Sequence, residues 1–178
     1  MNQVSVVRLS DDSIIASIAV RDSPRAMTCT PDGQHVYVAG MGNDSLTVIS
    51  TLSHSVERAC LAGDRPTAIL FSPSGETAYV ACQRSGRVLL FRCSDLAEID
   101  SFGLPLDPLE KLQYLLMLPG DRCLYVITGN GYIVRRSDNI PMRKLWFNAP
   151  GGPSVLPDGS RLYVPDGNAV TVLGPGSK

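Results

Sequence analysis

The sequence predicts an all-β fold made of four-stranded antiparallel meanders, and three observations predict it. One phrase recurs four times, turn residues are abundant, and no stretch keeps a convincing helical period. The phrase is an apolar strand, a Pro-containing turn, and a strand centred on tyrosine. Its copies are Thr30-Pro31-Asp32-Gly33 before Val36-Tyr37-Val38-Ala39, Ser72-Pro73-Ser74-Gly75 before Ala78-Tyr79-Val80-Ala81, Leu118-Pro119-Gly120-Asp121 before Leu124-Tyr125-Val126, and Leu156-Pro157-Asp158-Gly159 before Leu162-Tyr163-Val164. Successive tyrosines stand 42, 46 and 38 residues apart. Internal repetition at such a period marks a repeat architecture.

The turn chemistry explains the hairpin in each copy. Pro pre-sets φ at the first central position of a type I turn, Asp suits the next, and Gly takes the left-handed residue that follows. The third copy reads Pro-Gly-Asp, so its turn is expected to differ in type. A third strand follows each tyrosine strand, over Ser45–Ile49, Arg87–Phe91, Tyr132–Arg135 and Ala169–Leu173. A fourth is expected at Val56–Leu61, Ala97–Phe102 and Lys144–Phe147. The leucines within Pro108–Leu118 offer the best helical pattern. Tyr114–Leu118 is nevertheless read as an inner strand, because the repeat requires one there. At the amino terminus, Val4–Val7, Ile14, Ile18 and Pro24 overlay Leu46–Ile49, Val56, Cys60 and Pro66 at an offset of 42, so the chain starts at the third strand of a unit. The strand count is 17. Residues 1–178 read as one repeat domain, with units at approximately 1–23 (partial), 24–65, 66–107, 108–150 and 151–178 (partial).

Four-stranded units of this length are the blades of a β-propeller. The string running from Ser/Thr-Pro-Asp-Gly through Tyr-Val-Ala to Ser-Leu-Thr-Val-Ile-Ser resembles the YVTN-type propeller repeat, which is similar to the lactonase-like and NHL-like propellers. The resemblance covers nearly the whole chain and is strongest over Pro24–Phe102. It implies a propeller, usually of seven blades, whereas this sequence supplies about four. A partial arc, a small closed ring using Ile14–Ala19 as the outer strand of the last unit, and a homodimer that completes a ring are the arrangements open. No Trp-Asp pair closes a unit as in WD-repeat propellers.

Composition narrows the function. The 16 basic and 17 acidic residues give a net charge of -1, which argues against a nucleic-acid partner. No secretory signal is visible and no run approaches a membrane span, so a cytoplasmic location without a membrane partner is the default expectation. The five cysteines form no CxxC and read as buried free thiols. His35 and His54 sit at no ligand spacing and read as surface residues. Asn43-Asp44-Ser45 matches a glycosylation sequon. Phe102, Trp146 and Phe147 read as core residues at outer-strand ends.

Candidate binding residues come from the two loop classes that share one face of a propeller, outer strand to next inner strand and second strand to third. They are Arg25, Asn43, Asp44, Asp64, Arg65, Gln83, Arg84, Asn130, Asp166 and Asn168. A calcium site from Asp64, Asp166 and Asn168 is conceivable, but no spacing demands one, and neither a metal nor a cofactor is expected. No GxSxG and no Ser/His/Asp set is present, so no catalytic residue is assigned. The expected function is a non-enzymatic binding or scaffolding module taking a protein or a small ligand on that loop face. The alternative is a lactonase-like or metal-binding hydrolase, or an inactive fragment of one, whose cue would be Asp64, Asp107 and Asp166 converging.

Overall fold

The computed structural model describes residues 2–21, 23–106, 110–118, 123–128, 131–135, 137–147 and 151–173. Seventeen strands lie within them, arranged as five antiparallel sheets. The first sheet holds β1 (Gln3–Arg8) and β2 (Ser13–Ala19). The second holds β3 (Pro24–Cys29), β4 (His35–Gly40), β5 (Ser45–Ser50) and β6 (Ser55–Leu61). The third holds β7 (Pro66–Phe71), β8 (Thr77–Cys82), β9 (Arg87–Arg92) and β10 (Glu98–Gly103). The fourth holds β11 (Tyr114–Met117), β12 (Cys123–Ile127), β13 (Gly131–Arg135) and β14 (Ile140–Leu145). The fifth holds β15 (Ser154–Val155), β16 (Leu162–Asp166) and β17 (Ala169–Leu173). Each strand pairs with its neighbour in sequence, so every sheet is a meander.

The repeated turn has one geometry in its three described copies. Gly33, Gly75 and Gly159 adopt φ of 70°, 75° and 70°, and their N–H groups donate to the carbonyls of Thr30, Ser72 and Leu156 at 2.8–2.9 Å. Asp32 and Asp158 accept from the backbone N–H two residues on, Gln34 at 3.0 Å and Ser160 at 2.9 Å. These bonds to an anion hold both carboxyls below the usual carboxylate range, with the Thr30 hydroxyl the largest influence on Asp32. The third copy of the turn, at residues 119–122, lies outside the described residues.

Blade-on-blade packing supplies the core. Tyr37, Leu46 and Val48 of the second sheet meet Ile69, Phe71, Val80 and Phe91 of the third. Tyr79, Val88 and Leu90 meet Leu124, Val126 and Val134 of the fourth. Tyr125 and Ile127 meet Leu162 and Val164 of the fifth. β4, β5, β8 and β9 are therefore buried on both faces, which explains their continuous apolar runs. The register is constant: Tyr37, Tyr79, Tyr125 and Tyr163 sit opposite Val48, Leu90, Ile133 and Val172.

The sheets do not close into a ring, which corrects the closed-ring arrangement. β2 pairs with β1 rather than β17, and Val4 and Ile18 of the first sheet pack on Val38 and Ile49 of the second. The fourth sheet brings another correction: its outer strand is Ile140–Leu145, not Lys144–Phe147. Asn139 at φ 54° makes the turn and the Asp138 carboxylate accepts from Ile140 N at 3.2 Å, so the strand starts at once. Trp146 then falls beyond the strand end and is 73% exposed, while Phe102 is buried as expected. The cysteines are free but not uniformly buried. Cys82 is enclosed, Cys29 is exposed on β3, and Cys60, Cys93 and Cys123 are half-buried. Burial pushes the Cys82 thiol up to about 12.

Candidate functional site

Two β-bulges build the site. In the second sheet Pro24 pairs with Gly40 and Ala26 with Ala39, leaving Arg25 as the extra residue. In the third sheet Pro66 pairs with Cys82 and Ala68 with Ala81, leaving Thr67 extra. A bulge re-aims its extra residue out of the ladder. The matching position of the fourth sheet is Gln113, whose N–H donates to Ile127 O at 2.9 Å, and that of the fifth is Gly151, whose N–H donates to Pro165 O at 3.0 Å. Arg25 of β3, Thr67 of β7 and Gln113 just before β11 thus occupy matching positions of three successive sheets.

Arg25, Thr67 and Gln113 line a groove of about 560 Å³ with Gln83, Leu112 and Tyr114. Thr67 is buried, and its hydroxyl donates to Leu112 O at 3.0 Å, tying the third sheet to the fourth. Arg25 is exposed and is the one charged side chain on the wall among the described residues. A guanidinium beside two primary amides offers many N–H donors on a half-open surface, which suits a ligand rich in acceptors.

The other predicted residues are distributed unevenly. Gln83 lies in the groove, and its N–H donates to Arg65 O at 2.9 Å. Asp44, at φ 55°, accepts from Arg65 N at 2.8 Å through its carboxylate and from Ala62 N at 2.7 Å through its carbonyl. Asp44 therefore caps the crossover between second and third sheets. Asn43 accepts from the Ser45 hydroxyl at 2.8 Å. The Arg65 guanidinium reaches the Met41 sulfur at 3.8 Å, and Asp64 meets Arg84 at 3.8 Å on the surface. An exposed pair at that distance contributes little to stability. Asp166 accepts from the Thr171 hydroxyl at 3.3 Å at the end of β16, and Asn168 is exposed in the next turn. Asp64 and Asp166 belong to units three apart, and each meets a partner within or next to its own sheet. Among the described residues no group of three His, Cys, Asp or Glu could hold a metal ion. Asn130 and Asp107 lie outside the described residues.

A model of the lactonase, 7-bladed β-propeller family matches residues 6–101, more than half of the 178. The chain belongs to that family. No curated protein matches this lactonase-family chain. Among solved structures it is similar to Kuenenia stuttgartiensis hydrazine synthase, with a TM-score of 0.82 and 21% identity over 91% of this chain and 49% of that one. It is similar to dihydro-heme d1 dehydrogenase NirN in complex with DHE, with a TM-score of 0.78 and 17% identity over 98% of this chain and 39% of that one. The β-propeller domain of Myceliophteria thermophila Cps50 (Swd1) follows, with a TM-score of 0.71 and 14% identity over 85% and 54%. Likeness at these identities shows the fold, and the lactonase-family chain spans about half or less of the length of each structure.

Sequence reasoning about this lactonase-family chain missed Thr67 and Gln113, because an extra residue in a strand leaves no mark in the hydrophobic pattern. The signal that reaches them is the repeat itself, since Arg25 and Thr67 stand 42 residues apart and each follows a proline. It missed Glu110 as well. That carboxylate is 6% exposed and sits among the Thr128 hydroxyl at 3.3 Å, the Tyr132 hydroxyl at 3.1 Å and the Lys144 ammonium at 3.5 Å. Tyr132 is raised above the ordinary tyrosine range, mainly by burial. The Lys144 ammonium also lies 4.5 Å from the centre of the Trp146 ring, a cation–π contact. His35, expected at the surface, is half-buried on β4 with Nε2 3.1 Å from Glu57 Oε2. Glu57 reaches it because it is the extra residue of a bulge opposite Val48 and Ile49.

Proposed function

We propose that the chain is a binding module whose inner groove takes a small hydroxylated carboxylate. The observation that carries this reading is the convergence of Arg25 of β3, Thr67 of β7 and Gln113 just before β11 on one groove with a single charged wall. Arg25 supplies a forked cation for a carboxylate, and the Gln83 and Gln113 amides supply donors and acceptors for hydroxyls. Family membership supports the same ligand class, because the ring-opened form of a lactone is a hydroxy acid.

The test is calorimetric titration with gluconate. Wild type is expected to bind saturably. Arg25→Met is expected to bind at least about ten-fold more weakly, since a hydrogen bond to a charged group contributes about 1.5–3 kcal/mol. Equal affinity in the two proteins, or no binding by wild type, contradicts the reading.

Lactone hydrolysis is the second reading, favoured by the family match over residues 6–101. Acid release from glucono-δ-lactone, followed by pH-stat, separates the two. A rate above the spontaneous one that falls in Arg25→Met supports an enzyme. The spontaneous rate in the presence of bound gluconate supports a binding module.

A further inference from the structure

The crossover from the third sheet to the fourth is longer than its counterparts. Residues 20–23 join the first two sheets and residues 62–65 the second and third, whereas residues 104–113 lead into β11. The short crossover at 62–65 is held from the preceding sheet, where the Asp44 carboxylate accepts from Arg65 N at 2.8 Å. The longer one carries its own carboxylate. Glu110 turns into the fourth sheet and meets Thr128, Tyr132 and Lys144. The Tyr132 hydroxyl also lies 2.9 Å from Pro105 O, so the same cluster grips the crossover near its start. Three residues after Glu110 comes Gln113 on the groove wall, and Leu112 between them is fully buried.

We propose that Glu110 is a positioning residue for the groove: clamped by Lys144 and Tyr132, it fixes the end of the crossover and thereby places Gln113 opposite Arg25. The inference rests on the reading of the groove as a ligand site. Its physical basis is the cost of a buried carboxylate without a counter-charge, which is far greater than that of a paired one. Removing the Lys144 ammonium takes the charge 3.5 Å from Glu110 out of the cluster and weakens its hold on the carboxylate. The crossover is then held less firmly, and the Gln113 N–H bond to Ile127 O is the first to open.

Amide hydrogen exchange in the full chain tests this without a ligand. In Lys144→Met the amides of residues 112–116 are expected to exchange about ten-fold faster or more, while those of β8 and β12 keep their protection. Lys144→Arg, which retains the charge, is expected to keep wild-type protection. Tyr132→Phe gives a milder variant should Lys144→Met fail to fold, and is expected to speed the same amides by a smaller factor. Wild-type exchange at 112–116 in Lys144→Met and Tyr132→Phe, or equal acceleration throughout the fourth sheet, overturns the proposal. Gluconate titration then separates the two claims. If wild type binds and Lys144→Met binds about five-fold more weakly or worse, the anchor positions the groove. If wild type binds and Lys144→Met matches it, the positioning role is overturned. If wild type does not bind, the groove reading falls and the exchange result alone decides whether Glu110 holds the crossover.

Discussion

Phe71→Ala is expected to lower the unfolding free energy by about 3–5 kcal/mol, measured by urea denaturation with an unchanged slope. Phe71 ends β7 and is 7% exposed at the seam between second and third sheets. Its ring meets Tyr37 edge-on, with centroids 4.9 Å apart and planes at 89°. Such a pair contributes about 0.5–1.5 kcal/mol beyond the apolar area it buries. Truncation removes that contact and leaves a cavity between two rigid sheets, neither of which can move in to fill it without giving up its other face. Leu52→Ala is the control. Leu52 is 94% exposed in the hairpin between β5 and β6, and its loss is expected to cost less than about 0.5 kcal/mol. A similar cost at the two positions contradicts the seam as the source of stability.

Gly63→Ala is expected to destabilise by about 2–4 kcal/mol in the same measurement. Gly63 lies in the crossover from second to third sheet at φ 75°, a left-handed conformation that costs an alanine about 1–2 kcal/mol. Space is a further obstacle. A Cβ there would lie 2.7 Å from Leu89 Cδ1 and 2.8 Å from Cys82 Sγ. Leu89 can rotate away, but Cys82 is fully enclosed and its thiol already lies 3.0 Å from Ala62 O. The crossover must therefore shift, and with it the Asp44 bond to Arg65 N. Gly33→Ala gives the contrast, because Gly33 has a similar φ of 70° and nothing within 4 Å of its Cβ position. Its cost is expected to be the backbone part alone, about 1–2 kcal/mol.

The fold was readable because the repeat combined two independent signals, turn chemistry and tyrosine spacing. Thr30-Pro31-Asp32-Gly33 and its relatives place each hairpin, and the offset of 42 carries the first two strands into register with Leu46–Ile49 and with Val56 and Cys60. Reading failed where the offset failed. In the fourth unit the outer strand starts 15 residues after its tyrosine, against 18 and 19 in the second and third, so it was expected four residues late and Trp146 was assigned to the core. Polar loop residues gave only part of the groove. Arg25 and Gln83 were visible as loop polarity, but Thr67 and Gln113 lie at strand starts, where pattern alone reads them as ladder residues. Asp44 and Arg65 carry polarity too, yet the Asp44 carboxylate is spent on Arg65 N and the Arg65 guanidinium reaches the Met41 sulfur. Glu110 was passed over because nothing in a local stretch of sequence shows that a glutamate will be enclosed by Lys144 and Tyr132 from later strands.

The central claim is that Arg25, Thr67 and Gln113, at matching positions of three successive sheets, converge on a ligand groove. Chemical-shift mapping of the ¹⁵N-labelled chain during gluconate titration tests it most directly. The account predicts saturable shifts concentrated at residues 25–26, 67–69, 83 and 112–115. Shifts confined to other surfaces, such as the seam around His35 and Arg58, or no shifts at saturating gluconate, would contradict it.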